Sequence, residues 1–387
     1  MAMTSRERVL ATCRFEEPDR VPIDLGGSTG ASGIHVQAYH NLRRHLGLPA
    51  GTMTCNDIMQ MLARVDGDIQ DHFGLDVAAI DGTCTIQDWE IRDLVEGVEV
   101  AVPSGLDLRR EADDTWVLTH PSGARYLKPP ASHYFDAENG RGWYGLGRPL
   151  NDETLADLQT YARTLYHETD LALCAKFGGA FCSHQPEFLM DLLLEPAKMQ
   201  DRLARQCDGL IEKYTRLHQA LGDFTFCVVF ADDLGAQNAP MLGPDLFREA
   251  IARHYRRFAE WLHSHTDWQL YLHSCGAIEP LIETLIECGV DILNPIQTSA
   301  VGMDAAELKR KYGGRIVFWG GGCDTQNVLG FRSPEEVAEH VHDRLRIFAP
   351  GGGFVFNQVH VIQPNVPPDQ ICAMFDAAQR FGAYPIR

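Results

Sequence analysis

The sequence predicts a (β/α)8 TIM barrel, formed by one domain spanning residues 1–387, with N-terminal helices and an inserted β-hairpin region. Three observations predict it: short apolar runs alternate with helical patterns, eight such runs can be counted, and most end in glycine or a polar residue. Repeated strand–helix units favour parallel pairing, and eight of them favour a closed barrel. A doubly wound open sheet is the competing topology. Its dinucleotide-binding form is disfavoured because no Gly-x-Gly-x-x-Gly motif opens a helix.

The N-terminal part supplies the first two strands. Residues 4–14 have the pattern of an amphipathic helix, with Thr4 or Ser5 as its cap. Residues 21–25 and 76–80 are short apolar runs and are predicted to be strands. The more polar stretch between them, residues 52–73, is predicted to be helical.

Residues 86–130 differ from the rest because apolar and polar residues alternate there between turn signals. Alternation with a period of two is typical of antiparallel hairpins. We therefore expect an insertion after the second barrel strand. It is followed by a loop, residues 131–150, that is rich in aromatic residues and could enclose a substrate.

The remaining six strands lie beyond residue 151. They are predicted at 171–177, 224–230, 269–272, 291–294, 315–319 and 353–357. Helical patterns separate them at 186–221, 244–266, 278–288, 304–312 and 334–348.

Polar side chains follow the predicted strands, and in a barrel the carboxyl ends of all strands face one rim, where active sites lie. The candidates at this rim are Asp24, Asp81, Asp232, Asp233, His273, Cys275, Asn294, Gln297, Cys323 and His360.

The most specific signal is one imidazole and two thiols at two different strand ends. His273 and Cys275 lie in Tyr-Leu-His-Ser-Cys-Gly, and Cys323 lies in Trp-Gly-Gly-Gly-Cys-Asp. Zn²⁺ favours nitrogen and sulfur ligands, and a catalytic zinc site uses three protein ligands and an open position. These residues therefore predict catalytic zinc. Cys288 is a rival ligand, but the end of its apolar helix would carry it to the opposite end of the barrel, so we assign it to packing.

Two neighbouring acids, Asp232 and Asp233, are candidate catalytic residues, as a proton donor or as a partner of His273. The other polar candidates, Asp24, Asp81, Asn294, Gln297 and His360, are assigned to substrate binding. His184, which lies in a loop, is added to them with less support.

Composition restricts the function class. The formal charge of −19 argues against a nucleic-acid partner, which would need clustered Lys and Arg. Eleven cysteines, several inside apolar strands, suit a reducing cytoplasm, and no signal peptide is evident. No apolar run approaches the ~20 residues needed to cross a bilayer, so no membrane association is expected.

The chain resembles the uroporphyrinogen decarboxylase superfamily, and within it the corrinoid-dependent methyltransferases. The motifs that carry the resemblance are Glu17-Pro-Asp-Arg-Val-Pro, Asp232-Asp-Leu-Gly-Ala-Gln, His273-Ser-Cys-Gly and Gly320-Gly-Gly-Cys-Asp. The resemblance implies the barrel and assigns zinc to His273, Cys275 and Cys323. It departs from true decarboxylases, whose N-terminal segment carries an arginine pair, because the corresponding Asp24-Leu-Gly-Gly-Ser-Thr-Gly has none.

The resemblance implies a zinc-dependent methyltransferase that moves a methyl group from a methoxylated, aryl methyl ether substrate to the Co(I) corrinoid of a separate corrinoid protein. The partner is needed because this chain lacks the Asp-x-His-x-x-Gly cobalamin signature. Three alternatives stay open: methyl transfer from a corrinoid to a thiol such as coenzyme M, a decarboxylase-like lyase, and a barrel that binds a ligand without turning it over. A homodimer is one option, since barrels of this size often dimerise.

Overall fold

The computed structural model describes residues 3–140, 142–183 and 185–387. Its α-helices are α1 Ser5–Cys13, α2 Val36–His45, α3 Gly67–Phe73, α4 Asp152–Glu168, α5 Pro186–Leu194, α6 Pro196–Leu221, α7 Pro244–Ala250, α8 Ala252–His265, α9 Glu279–Glu287, α10 Ala305–Tyr312, α11 Pro334–Phe348 and α12 Pro368–Phe381. Its strands are β1 Met53–Asp57, β2 Leu62–Ala63, β3 Val77–Asp81, β4 Trp89–Val95, β5 Val98–Pro103, β6 Asp107–Arg110, β7 Trp116–Thr119, β8 Arg125–Lys128, β9 Asp136–Ala137, β10 Ala172–Lys176, β11 Thr225–Ala231, β12 Gln269–His273, β13 Ile292–Asn294, β14 Val317–Trp319 and β15 Phe354–Val355. Two short 3₁₀ turns lie at Thr29–Ala31 and Gly82–Thr85.

Seven parallel strands form the central sheet, in the order β3, β10, β11, β12, β13, β14, β15. The predicted strand at residues 21–25 is shorter than expected, yet it connects the two edges. The Asp24 amide donates to the Phe356 carbonyl, and the Asp76 amide donates to the Ile23 carbonyl, both at 2.8 Å. These bonds close the curved sheet, and the predicted (β/α)8 barrel is confirmed.

A buried carboxylate fixes this closing segment. Asp76 is fully buried and accepts from Arg8 at 2.6 Å, from Arg20 at 2.7 Å and from the Ile23 amide at 2.7 Å. A buried charge is tolerated only when it is paired and hydrogen-bonded, which these donors achieve. The Glu17-Pro-Asp-Arg-Val-Pro motif, which supplies Arg20, is therefore part of the barrel closure.

Helix α1 blocks the amino-terminal end of the barrel. Thr4 is the N-cap and forms a capping box with Glu7, and Val9 and Cys13 pack into the cluster of residues that fills the barrel interior. The Gly353 amide, directly before β15, donates to the Thr12 carbonyl at 3.1 Å. Only the carboxyl ends of the strands are therefore left open for a site.

A second, larger apolar layer lies between the sheet and the surrounding helices. Helices α6 and α8 turn Leu203, Tyr214 and Phe258 into it and their charged residues outward. The predicted 334–348 helix corresponds to α11, and the predicted 244–266 helix is divided into α7 and α8 at Ile251.

The N-terminal region adds two small sheets, with strand orders β2-β1-β5-β4 and β6-β7-β8-β9. Strands β4 and β5, and then β6, β7 and β8, form antiparallel pairs within residues 86–130. The prediction of helix over 52–73 is wrong for its first half, because β1 pairs with β2 and β5. Cross-strand pairing there outweighs the local pattern.

Among the described residues, no helix is both long enough and apolar enough to cross a bilayer.

Candidate metal centre

His273 ends strand β12, and its orientation is fixed by the neighbouring strand β13. Its Nδ1 lies 2.7 Å from Asn294 Oδ1, while Asn294 Nδ2 donates to the Trp319 carbonyl at 2.9 Å. A carbonyl only accepts, so the Asn294 amide must present its oxygen to His273. His273 therefore donates from Nδ1, and Nε2, which lies beside Cys275 and Asp233, is the ring nitrogen available to a metal.

Cys275 lies in the turn that follows β12. Its amide donates to Asp233 Oδ1 at 2.9 Å, and the next amide, of Gly276, donates to Gln297 Oε1 at 2.8 Å. Gly276 has φ +89° and its Cα faces the backbone of Gly235, so a side chain is excluded on both grounds. The turn brings Cys275 Sγ to 3.6 Å from His273 Nε2.

His360, after the last strand, is the third member of the cluster. Its ring centroid lies 5.2 Å from that of His273. Its φ is +63°, an unusual value for a residue with a side chain, and Gln358 Nε2 donates to its carbonyl at 2.7 Å. Burial, aided by His273, lowers the pKa of His360 to about 3, so the imidazole is neutral near pH 7.

The donor atoms of His273, Cys275 and His360 all lie within 4.8 Å of one another. Two imidazole nitrogens and one thiol sulfur form a donor set that suits Zn²⁺. Burial and the nearby Asp233 raise the pKa of Cys275 well above its ordinary value, so the thiol is protonated until a cation displaces the proton. Three converging donors with a fourth side open to the cavity fit a catalytic zinc ion.

Cys323, the third ligand expected from the sequence, is not in this cluster. Its carbonyl accepts from the Val359 amide at 2.8 Å, and its side chain belongs to the apolar layer between sheet and helices. Burial and Asp324 raise the pKa of its thiol. The structure thus unites His273 and Cys275 with His360, which the sequence predicts to be a substrate-binding residue. Cys288 packs in the core, as expected.

The two neighbouring acids have different environments. Asp232 is buried and accepts from the Phe181 and Cys182 amides and from the Tyr255 hydroxyl, at 2.6, 2.9 and 2.5 Å. Its carboxyl therefore positions the loop that follows β10. Asp233 is 40% exposed and lies 3.7 Å from His273 Nε2, so it is the acid closer to the reacting region.

The remaining predicted binding residues make hydrogen bonds to other parts of the protein. Asp24 accepts from Trp319 Nε1 at 2.9 Å and from the Gly27 amide at 2.7 Å. Asp81 accepts from the Thr83 amide at 2.8 Å. Asn294 orients His273 and Gln297 supports the Cys275 turn, as described above. His184 lies outside the described residues.

A cavity of about 720 Å³ opens beside the cluster. Asp233, His273 and His360 line one part of it, and Tyr134, Phe135 and Trp143 from the N-terminal region line another. A volume of this size accommodates a drug-sized aromatic molecule. Two further lining residues, Asp57 and Lys176, were not predicted. Asp57 lies in the segment that the sequence predicts to be helical. Lys176 lies near the end of a predicted strand, and a polar residue at that place was the signal that could have identified it.

Comparisons with known proteins agree with this architecture. Residues 178–381, more than half of the chain, match the family model described as Uroporphyrinogen decarboxylase (URO-D). Uroporphyrinogen decarboxylases of Magnetococcus marinus and Cronobacter sakazakii are 26% identical over 113 residues and 30% identical over 102 residues. These alignments cover 29% and 26% of this chain, and the chain spans only 29% and 27% of the length of the two relatives.

A methyltransferase from Methanosarcina mazei is similar in structure over nearly the whole chain. The similarity covers 98% of this chain and 99% of that protein, with a TM-score of 0.57 and 17% sequence identity. At this level of identity the two proteins share a fold.

Proposed function

The chain belongs to the uroporphyrinogen decarboxylase family, and from that premise we propose that it is a zinc-dependent methyltransferase. It would take a methyl group from a methoxylated aromatic substrate and pass it to the Co(I) corrinoid of a separate protein. The observation that carries this proposal is the convergence of His273, Cys275 and His360 beside a large cavity. The methyltransferase fold of the Methanosarcina mazei protein supports it.

The lining of the cavity favours methyl transfer over tetrapyrrole decarboxylation. Uroporphyrinogen carries eight carboxylates, which require several cationic partners. Among the described residues that line the cavity, Lys176 is the sole lysine or arginine. Aromatic side chains, in contrast, suit an aryl ether, and a small thiol acceptor would leave most of the cavity unfilled.

Zinc held by His273, Cys275 and His360 would act as a Lewis acid toward the ether oxygen, whose basic alkoxide or phenoxide is otherwise a poor leaving group. The protein residues supply the rest. Asn294 keeps His273 Nε2 available to the metal, and Asp233, 3.7 Å from that atom, would be the residue that holds or gives a proton at the leaving oxygen. Tyr134, Phe135 and Trp143 would pack against the aromatic ring of the substrate.

The test combines metal content with methyl transfer. Purified protein should contain about one zinc per chain, and a Cys275→Ser variant should lose both the metal and the Co(I) to methyl-Co(III) spectral change with a methoxyarene panel. Cys372→Ser, which changes a half-buried thiol on α12, is the matched control and should keep both. Full transfer by metal-free protein would contradict the proposal.

Two further variants test which residue is the third zinc ligand. His360→Ala should lower zinc content if the cluster of this structure holds the ion. Cys323→Ser should lower it if the set expected from the sequence does. Methylation of a thiol by the methyl-corrinoid protein, with no demethylation of any methoxyarene, would favour the alternative direction of transfer.

A further inference from the structure

A recess beside Gly30 gathers three polar groups on the wall of the cavity. The point where a Cβ of residue 30 would lie is 3.0 Å from Gln60 Nε2, 3.2 Å from Lys176 Nζ and 3.4 Å from Asp57 Oδ2. All four residues line the cavity. The φ of Gly30 is not in the left-handed region, so its conformation alone does not require glycine. The absence of a side chain at residue 30 leaves this space free.

The electrostatics of the recess favour an anion. Lys176, at the carboxyl end of β10, is partly buried, and its ammonium has no hydrogen bond or ion pair with the described residues. A partly buried cation gains most from a charged acceptor, which forms shorter and stronger hydrogen bonds than a neutral one. Gln60 Nε2 offers a second donor on the same side. A cationic ligand, in contrast, would be repelled by Lys176.

Asp57 does not oppose this reading. Its Oδ1 accepts from the Gln60 amide at 3.0 Å, and the side chain is buried. Burial raises the pKa of Asp57, and the charge of Lys176 lowers it. Lys176 therefore attracts this carboxyl, but no hydrogen bond or ion pair joins the two side chains in the described part of the chain, so the ammonium keeps its donors for a ligand.

The recess and the metal centre belong to the same cavity. Lys176, His273 and His360 all line it. A single aromatic molecule could therefore contact Lys176 with one substituent and the cluster with another.

We propose that the Gly30 recess is an anion subsite in which Lys176 and Gln60 bind a carboxylate, and that the methyl donor is a methoxylated aromatic acid. The second part rests on the proposed function; the first does not, because binding of a carboxylate needs neither zinc nor a corrinoid. Lys176 would then determine which methoxyarenes are accepted, while the metal centre performs the same chemistry on all of them.

The test measures binding of benzoate and of benzamide by calorimetry to the full chain without a corrinoid protein. The two probes have similar shape and differ in charge. We expect benzoate to bind about ten-fold more tightly than benzamide. Lys176→Met should abolish this preference, and Lys176→Arg should keep most of it. Lys198→Met, which removes an exposed lysine from α6, is the matched control for net charge and should leave the preference unchanged.

Gly30→Ala gives an independent result, because its methyl group would occupy the recess without changing any charge. It should weaken benzoate binding and leave benzamide binding nearly unchanged. Equal affinity of the wild-type protein for the two probes, including no binding of either, would overturn the proposal. An unchanged preference in Lys176→Met, or the same loss in Lys198→Met, would also overturn it.

These results are separable from those on methyl transfer. Preference for benzoate without transfer from any methoxyarene would retain the anion subsite and remove the methyltransferase proposal. Transfer at equal rates from 4-methoxybenzoate and methoxybenzene, with no preference for benzoate, would retain the methyltransferase proposal and remove the anion subsite.

Discussion

Replacing Asn294 with leucine tests how the protein prepares His273 for a metal. Asn294 is fully buried, accepts from His273 Nδ1 at 2.7 Å and donates to the Trp319 carbonyl at 2.9 Å. Leucine keeps much of the volume and removes both bonds. His273 is then free to move its proton to Nε2 and to rotate, and either change withdraws the lone pair from the cluster.

The magnitude follows from these two bonds. Loss of a partner that orients a metal-binding histidine lowers metal affinity by about 10–100-fold, which corresponds to about 1.4–2.7 kcal/mol. The Trp319 carbonyl, left buried without a donor, lowers the free energy of unfolding by a further ~1–3 kcal/mol, and this second cost does not depend on metal.

Two assays separate the effects. Competition with a chromophoric chelator gives the zinc affinity, and urea unfolding of metal-free protein gives the stability. Gln370→Leu is the matched control, since Gln370 is a buried amide that accepts from the Gly330 amide at 2.6 Å on α12, away from the cavity. It should lose stability and keep its zinc affinity. A wild-type zinc affinity in Asn294→Leu would refute the conclusion that the Asn294 amide keeps Nε2 of His273 available to the metal.

Two further predictions concern the backbone and pH. Gly276→Ala should lower the free energy of unfolding by about 3 kcal/mol in urea, because its methyl group meets neighbouring backbone in a left-handed conformation. Gly97→Ala, also left-handed but in open space, should cost only about 1 kcal/mol, and equal losses would contradict the argument. His35 is buried, accepts from the Gln37 amide and contacts the His133 carbonyl, and burial lowers its pKa from 6.5 to about 4. The unfolded chain therefore takes up a proton at His35 at a higher pH than the folded chain does. The contribution of His35 to the free energy of unfolding is complete above pH 6.5 and is lost as the pH falls toward 4. His35→Asn should reduce the slope of stability against pH by up to about 1.4 kcal/mol per pH unit, measured by urea unfolding at pH 6.5, 5.5 and 4.5.

The barrel could be predicted from the sequence because each strand–helix unit contains its own local sequence pattern. Apolar strands, capped helices and glycine turns are local features, and the connection rules for parallel sheets then limit the topology. His273 and Cys275 were found for the same reason: they occupy one strand end and the turn after it, so two residues of separation place them together.

The direction of the Cys323 side chain could not be predicted in this way. The sequence places it after β14, but it does not say whether the side chain faces the barrel mouth or the helices. A change of one position reverses the face of a strand residue, and the glycines before Cys323 leave the register undetermined. Lys176 and Asp57 were missed for a related reason, since their meeting depends on how β1 packs beside the barrel.

The conformation of His360 gives a separate argument for the proposed metal site. A non-glycine residue at φ +63° carries a cost of about 1–3 kcal/mol, which the hydrogen bond from the Gln358 side-chain amide to the His360 carbonyl partly offsets. Glycine would adopt the same backbone without that cost, as it does at many left-handed positions in this chain. Phe15, Met61 and Asp114 also have positive φ, so this backbone conformation does not by itself mark a functional residue, and the strain at His360 needs a reason of its own. It is explained if the imidazole must stand beside His273 and Cys275, which is the arrangement a metal ion would use.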